Sequence, residues 1–145
     1  MTREDLGARL AKSTRRLIAA ERPVLERHGL TMWEYIALST LAVRPSGTQL
    51  ALAESIGYDK TRLIVILDRL QSRGLIGREP DPSDRRAHVV SLTPAGEAIV
   101  RSARRDIRAM EDELLAGLSA QERDLLDVAL FRLAGQDESA QQHEL

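Results

Sequence analysis

Two groups of side chains in this 145-residue chain combine types and spacing suited to a polyanionic partner. The first is Lys60-Thr61-Arg62, followed along the same segment by Ile64, Val65 and Arg69. The second is Asp84-Arg85-Arg86, directly after the turn-forming run Pro80-Asp81-Pro82-Ser83. Thr61 and Arg62 can hydrogen-bond to base edges, Ile64 and Val65 can pack on thymine methyls, and Lys60 near a helix start suits a phosphate. An arginine projected from a short turn gains from the negative potential of a narrow minor groove. Asp84, two residues before Arg86, is an odd group to aim at nucleic acid. Its expected role is to hold an arginine through a charge-assisted hydrogen bond. A solvated charged loop is the bland alternative for such a run, so the elements that carry it decide between the two.

Those elements are a helix pair and a hairpin. From Gln49 to Leu70, the residues Leu52, Ile56, Leu63, Ile66, Leu67 and Leu70 sit where two helices pack on each other. Ala53 is small where the helices must cross, and Gly57, four residues on, suits a turn that needs positive φ. This is the pattern of a helix-turn-helix. The second helix is expected from about Asp59 to Arg73. At about 100° per residue, Leu63, Ile66, Leu67 and Leu70 share one face, while Thr61, Val65, Asp68 and Ser72 point the other way. Arg62 and Ile64 lie on the flanks. After Gly74 the helical rhythm breaks into Leu75-Ile76-Gly77-Arg78-Glu79, the two prolines, and a strand-like run through Val89, Val90, Ser91 and Leu92. A β-hairpin of about 15–20 residues is the economical reading. On the helix pair alone, a helical hairpin that binds nothing stays open. Two adjacent arginines at the tip of the hairpin that follows favour nucleic acid.

The flanks read as helices. Thr31-Met32-Trp33-Glu34 and Ser119-Ala120-Gln121-Glu122 match the capping box, and Thr93-Pro94 places a capping hydroxyl before a proline at the first helical position. Thr2, with Glu4 and Asp5 behind it, is a weaker start. Leu6, Leu10, Leu17 and Val24 mark a first helix ending near His28-Gly29. Ile36, Leu38 and Leu41 mark a second, stopped by Pro45 and Gly47. Ile99, Ala103, Ile107, Met110 and Leu114 fit a long helix, and Leu125, Leu126, Ala129 and Leu133 a last one ended by Gly135. The polar residues 136–145 are expected to fray. The fold class expected is therefore mostly α with a small β-hairpin wing.

Composition narrows the function classes. Net charge is −1, yet Met1 to Arg27 holds seven basic and four acidic residues, Gly57 to Ser91 seven and five, and Ser119 to Leu145 two and six. The acidic end masks two locally basic regions, a pattern that permits nucleic-acid binding. Without cysteine there is no disulfide framework, thiolate zinc site or thiol redox sensor. The charged first ten residues lack the apolar run of a signal peptide, no run is long enough to span a membrane, and a cytoplasmic location is expected. His28, His88 and His143 lack metal-ligand spacing, and no phosphate loop or nucleophile motif is present, so neither an enzyme nor a cofactor is expected.

Asp84-Arg85-Arg86 followed by Val90-Ser91-Leu92-Thr93-Pro94-Ala95-Gly96 resembles the D-x-R…V-x-L-T-x-x-G signature of the MarR family of bacterial transcriptional regulators. Leu67-Asp68-Arg69-Leu70 and Arg73-Gly74-Leu75-Ile76 are similar to the end of that family's recognition helix and its first wing strand. The resemblance covers nearly the whole chain. It implies a single domain over 1–145, with a winged helix-turn-helix at about 46–97 and dimerisation helices at about 1–30 and 98–135. It further implies a homodimer on a palindromic operator in double-stranded DNA, usually acting as a repressor. By position, Arg86 would enter the minor groove, Asp84 would stabilise the wing, and Thr61 and Arg62 would contact bases or backbone. Ile64-Val65 stands where family members often carry Thr-Arg, so readout here leans on apolar contact and shape.

The resemblance also implies release by a small phenolic or lipophilic compound, bound between dimer helices and DNA-binding lobe. His28, Met32, Trp33 and Ile36 lie where that pocket would be. Large aromatics pack at element junctions, so packing is the first reading of Trp33 and ligand contact the second; His28 reads first as a helix-end residue. Leu6, Leu10, Leu17, Leu126, Leu130 and Phe131 are surplus apolar residues for which homodimerisation offers a partner. The rival function is a winged-helix protein-interaction module without specific DNA binding.

Overall fold

Capping chemistry places most of the helix starts where they form. The computed structural model describes residues 3–44 and 47–135. The Thr2 helix start, the Pro45 stop, His143 and the 136–145 tail lie outside the described residues. Among those described there are six helices and one small antiparallel sheet. They form two compact units, Met1–Met110 and Glu111–Leu145.

In the first unit, α1 (Leu6–Arg27) buries only Val24 and Leu25. Helix α2 (Met32–Val43) starts at Thr31, whose hydroxyl accepts from the Glu34 backbone N–H at 3.2 Å. The reciprocal half of the expected capping box is not what the Glu34 side chain does. It is 5% exposed, accepts from the Thr31 hydroxyl at 3.1 Å and pairs with Arg73 at 3.3 Å. A carboxylate drawn out of water needs a cation more than a backbone amide.

Helices α3 (Gln49–Ile56) and α4 (Lys60–Ser72) are capped by Thr48 and Asp59, which accept from Ala51 and Arg62 N–H, each at 3.1 Å. Gly57 turns the chain between them with φ +64°, a conformation that costs any residue bearing a Cβ. Leu52 and Ala53 of α3 and Leu63, Ile66, Leu67 and Leu70 of α4 are buried in the core with Leu38, Val90 and Val100. Each fully buried leucine contributes about 2 kcal/mol.

The hairpin forms from β2 (Ile76–Asp81) and β3 (Asp84–Leu92), paired from Ile76↔Leu92 to Asp81↔Asp84. A third strand, β1 (Gly47–Thr48), pairs Gly47↔Val90 and Thr48↔Val89, giving the order β1-β3-β2. Nothing in the local pattern predicts it, because two residues carry no alternation.

Helix α5 (Pro94–Leu114) starts at Thr93, whose hydroxyl accepts from Gly96 N–H at 3.1 Å and donates to the Gly74 carbonyl at 2.6 Å. Gly96 is required there: a Cβ would lie 2.0 Å from the Leu75 carbonyl oxygen. The glycine that closes the sequence signature thus allows α5 to start against the backbone entering the wing.

In the second unit, α6 (Ala120–Ala134) opens with a complete capping box between Ser119 and Glu122. Arg123 donates to Asp112 at 2.5 Å. No residue of α6 is buried. No helix among the described residues is long and apolar enough to cross a membrane.

Candidate nucleic-acid interface

With Leu63, Ile66, Leu67 and Leu70 spent on the core, α4 turns its remaining faces outward. Lys60, Thr61, Arg62 and Arg69 are exposed, Val65 is 53% exposed, and Ile64 is half-buried. Lys60, Thr61 and Arg62 occupy the first turn of the helix, the part that enters a major groove first in helix-turn-helix proteins. The Asp59 cap engages the Arg62 backbone and not its guanidinium.

At the wing tip, Asp81 accepts from the Ser83 backbone N–H at 2.9 Å and from the Ser83 hydroxyl at 2.7 Å. These two bonds, the backbone one first, hold the Asp81 carboxyl below its ordinary pKa. They close the turn through Pro82 and Ser83. Asp84 bonds to Arg86 through that residue's backbone. Its carboxylate accepts from the Arg86 backbone N–H at 3.0 Å. It therefore shapes the strand beneath Arg86, and no hydrogen bond ties it to the guanidinium, because the donor nearest in sequence is the amide two residues on. Arg85 and Arg86 are both exposed. Arg86 and Lys60 line one groove of about 340 Å³, together with Thr48 and Gln49 at the start of α3. The fold thus brings Lys60 of α4 and Arg86 of the wing into one concavity, which Asp81 and Asp84 also line.

The residue missed in the sequence is Arg78 on β2. Its Nε donates to Gln71 at 2.7 Å, its Nη1 to Gln49 at 3.1 Å, and its Nη2 pairs with Asp68. One guanidinium, largely covered, ties the wing to both helices of the pair. Asp68 and Gln71 stand three apart on α4 and so share a face. An acceptor pair at that spacing ahead of an arginine-bearing strand was the available signal.

The four residues expected at a ligand pocket are only partly brought together. Met32 and Trp33 line a cavity of about 310 Å³ with Ile18, Leu25, Leu30 and Thr31. Ile36 is not among its lining residues, since it lies one helical turn further along α2 from the cavity. His28 is not either: its Nε2 is 2.7 Å from an Asp106 carboxylate oxygen on α5. Trp33 also stacks on Tyr58, centroids 4.2 Å apart at 29°, so it is both a packed aromatic and a cavity wall. The dimerisation candidates Leu6, Leu10 and Leu17 on α1, and Leu126, Leu130 and Phe131 on α6, are all exposed. No group of acidic, His or Cys side chains suited to a metal ion occurs among the described residues.

Comparison with known proteins places this geometry. Residues 30–88 match the model of the MarR family. A probable transcriptional regulator from Pseudomonas aeruginosa is similar at 32% identity and a TM-score of 0.79, over 90% of this chain and 97% of that one. The transcriptional repressor CouR, solved bound to a 23-mer DNA duplex, is similar at 30% identity and a TM-score of 0.83, over 90% and 92%. A mutant MarR from E. coli, complexed with operator DNA, aligns at 26% identity and a TM-score of 0.79, over 88% and 92%.

Proposed function

The chain belongs to the MarR family of transcriptional regulators, and from that premise we propose that it is a homodimeric, sequence-specific repressor acting on a palindromic operator. The observation that carries this reading is that Lys60 and Arg86 line one groove, with Thr61, Arg62 and Val65 exposed on the same helix as Lys60. The first turn of α4 reads base edges from the major groove while Arg86 enters the adjacent minor groove. Arg85 and Arg69 supply phosphate contacts, and Ile64 and Val65 apolar ones. The solved duplex complex of the repressor CouR supports both the DNA partner and the sign of regulation. Winged-helix dimers place their lobes on half-sites about one helical turn apart, which makes the operator a palindrome. The exposed leucines of α1 and the exposed apolar residues of α6 supply the surfaces for the second copy.

The apolar cavity beside Met32 and Trp33 has a volume at the lower end of small-ligand sites. It suits a small aromatic or lipophilic effector that releases DNA by favouring a form with lower operator affinity.

The deciding experiment is the salt dependence of binding to a duplex selected from a randomised pool. Counterion release gives a steep linear fall of log affinity with log salt. Arg86→Ala weakens the selected duplex by about 1–3 kcal/mol. A flat salt response, or an Arg86→Ala variant that binds as tightly as the wild type, would favour a protein-interaction module instead.

A further inference from the structure

Glu34 is the only charged side chain buried among the described residues, and DNA contact does not use it. Its surroundings assign it a task. One carboxylate oxygen accepts from the Thr31 hydroxyl at 3.1 Å, and the other pairs with Arg73 Nη1 at 3.3 Å. The same Nη1 donates to the Gly29 carbonyl at 2.7 Å. Arg73 is the residue that caps the C-terminal end of α4. A buried carboxylate, a guanidinium and a backbone carbonyl therefore fasten the far end of the recognition helix to the corner between α1 and α2.

The neighbouring residue serves the other end. Trp33 stacks on Tyr58 with ring centroids 4.2 Å apart, and Tyr58 directly precedes Asp59, the N-cap of α4. Consecutive residues of α2's first turn thus reach opposite ends of one helix. Such a helix has two points of support on a single short segment, and movement of that segment tilts or shifts the helix as a body. Thr31, Met32 and Trp33 also line the 310 Å³ cavity, so whatever fills the cavity presses on the same segment.

We propose that the corner at residues 29–34 is a two-point rest for the recognition helix, with Glu34–Arg73 and Trp33–Tyr58 as its contacts. Glu34 and Arg73 are positioning residues for sequence-specific DNA binding. This rests on the reading that α4 binds DNA. A rest of this kind governs fit to a particular sequence more than attraction to phosphate, because base contacts need geometry while the charge term tolerates displacement.

The test compares a duplex selected from a randomised pool with a shuffled duplex of the same composition. In R73M and E34Q the selected duplex loses about tenfold in affinity, the size of a typical coupling between sites, while the shuffled duplex stays within about twofold. The double variant is no weaker than R73M, because R73M alone already breaks the Glu34–Arg73 contact. Equal losses on both duplexes would make Arg73 a phosphate contact and overturn the proposal; unchanged selectivity in R73M, whose side chain is on the surface and leaves the core intact, would do so too. Amide exchange in the DNA-free protein supplies a readout independent of duplex binding. R73M speeds exchange in the last turn of α4 and at residues 30–34, and unaltered exchange there overturns the rest. A wild-type protein that selects no duplex defeats the DNA-binding reading instead, and exchange alone then decides whether the rest exists.

Discussion

Helices α4 and α6 have similar lengths, 13 and 15 residues, and both are rich in aliphatic side chains, yet they end in opposite conditions. The leucines of α4 and Ile66 are inside the core, and its outer faces carry Lys60, Thr61, Arg62 and Arg69. Helix α6 buries nothing, and Phe131, 70% exposed, stands in water with Leu125, Val128, Leu130 and Leu133. The first helix has consumed its apolar face within its own fold, so what it shows outward is free to recognise something polar. The second still has its hydrophobic stabilisation outstanding, and it is the surface proposed above for a second copy. Amphipathic pattern alone tells the two cases apart poorly; the location of the buried face separates them.

The widest expected effect breaks the α6 side of this contrast. The double variant L126E/F131E places charges on the exposed apolar surface proposed for a second copy. It should run as a monomer by light scattering at micromolar concentration, and its operator affinity should fall about 10³-fold as the linked half-sites are lost. A wild-type chain that is itself monomeric would remove the contrast. On the α4 side, Gly96→Ala drives a Cβ to 2.0 Å from the Leu75 carbonyl, at the junction that seats the wing. We expect a loss of about 3 kcal/mol in urea unfolding. A variant as stable as the wild type would mean that the first turn of α5 can retreat from Leu75.

Smaller effects sharpen the same side. Arg78→Ala removes the tie from the wing to Gln71, Gln49 and Asp68. Because Asp68 is well exposed, the expected cost is only about 1 kcal/mol of stability. Lysine at this position should recover little, since three acceptors around one planar fork suit a guanidinium and not an ammonium; full recovery by Arg78→Lys would reduce the tie to simple charge attraction. The smallest effect is at Asp81. Its carboxyl is held low by its bonds to Ser83, so the ionised group stabilises the turn above the unfolded pKa. That contribution disappears as pH falls through the lower, folded value. An NMR titration should therefore show the Asp81 carboxyl titrating below about 3.9, with wing-tip amide shifts moving in the same range. Titration at or above that value would remove the Asp81 turn as a feature of the wing.

The legible parts of the molecule share one property: their cause is local. The helix pair was readable because Leu52, Ala53, Leu63, Ile66, Leu67 and Leu70 repeat within a few turns, and Gly57 marks the break. The hairpin was readable from two prolines and an alternating run. The parts that were missed or misread depend on partners far away in sequence. Strand β1 exists only because β3 lies beside it. Glu34 fitted a capping box by spacing, but Arg73, 39 residues on, claimed its carboxylate. His28 read first as a helix end and is the C-cap of α1, but its imidazole lies against Asp106, 78 residues away, and not on the cavity.

From sequence alone came the helix-turn-helix, the arginine-tipped wing, the positions of the helix caps and the family they resemble, because periodicity, turn chemistry and charge spacing act over a few residues. Only the tertiary structure decided which cation meets which acceptor. It alone put Lys60 and Arg86 on one groove, hung the wing from Arg78, and set both ends of α4 on a single corner of the chain. Those choices turn on angles and separations of a few ångströms between segments, and hydrogen bonds and ion pairs are sensitive to such distances in a way that hydrophobic patterning is not.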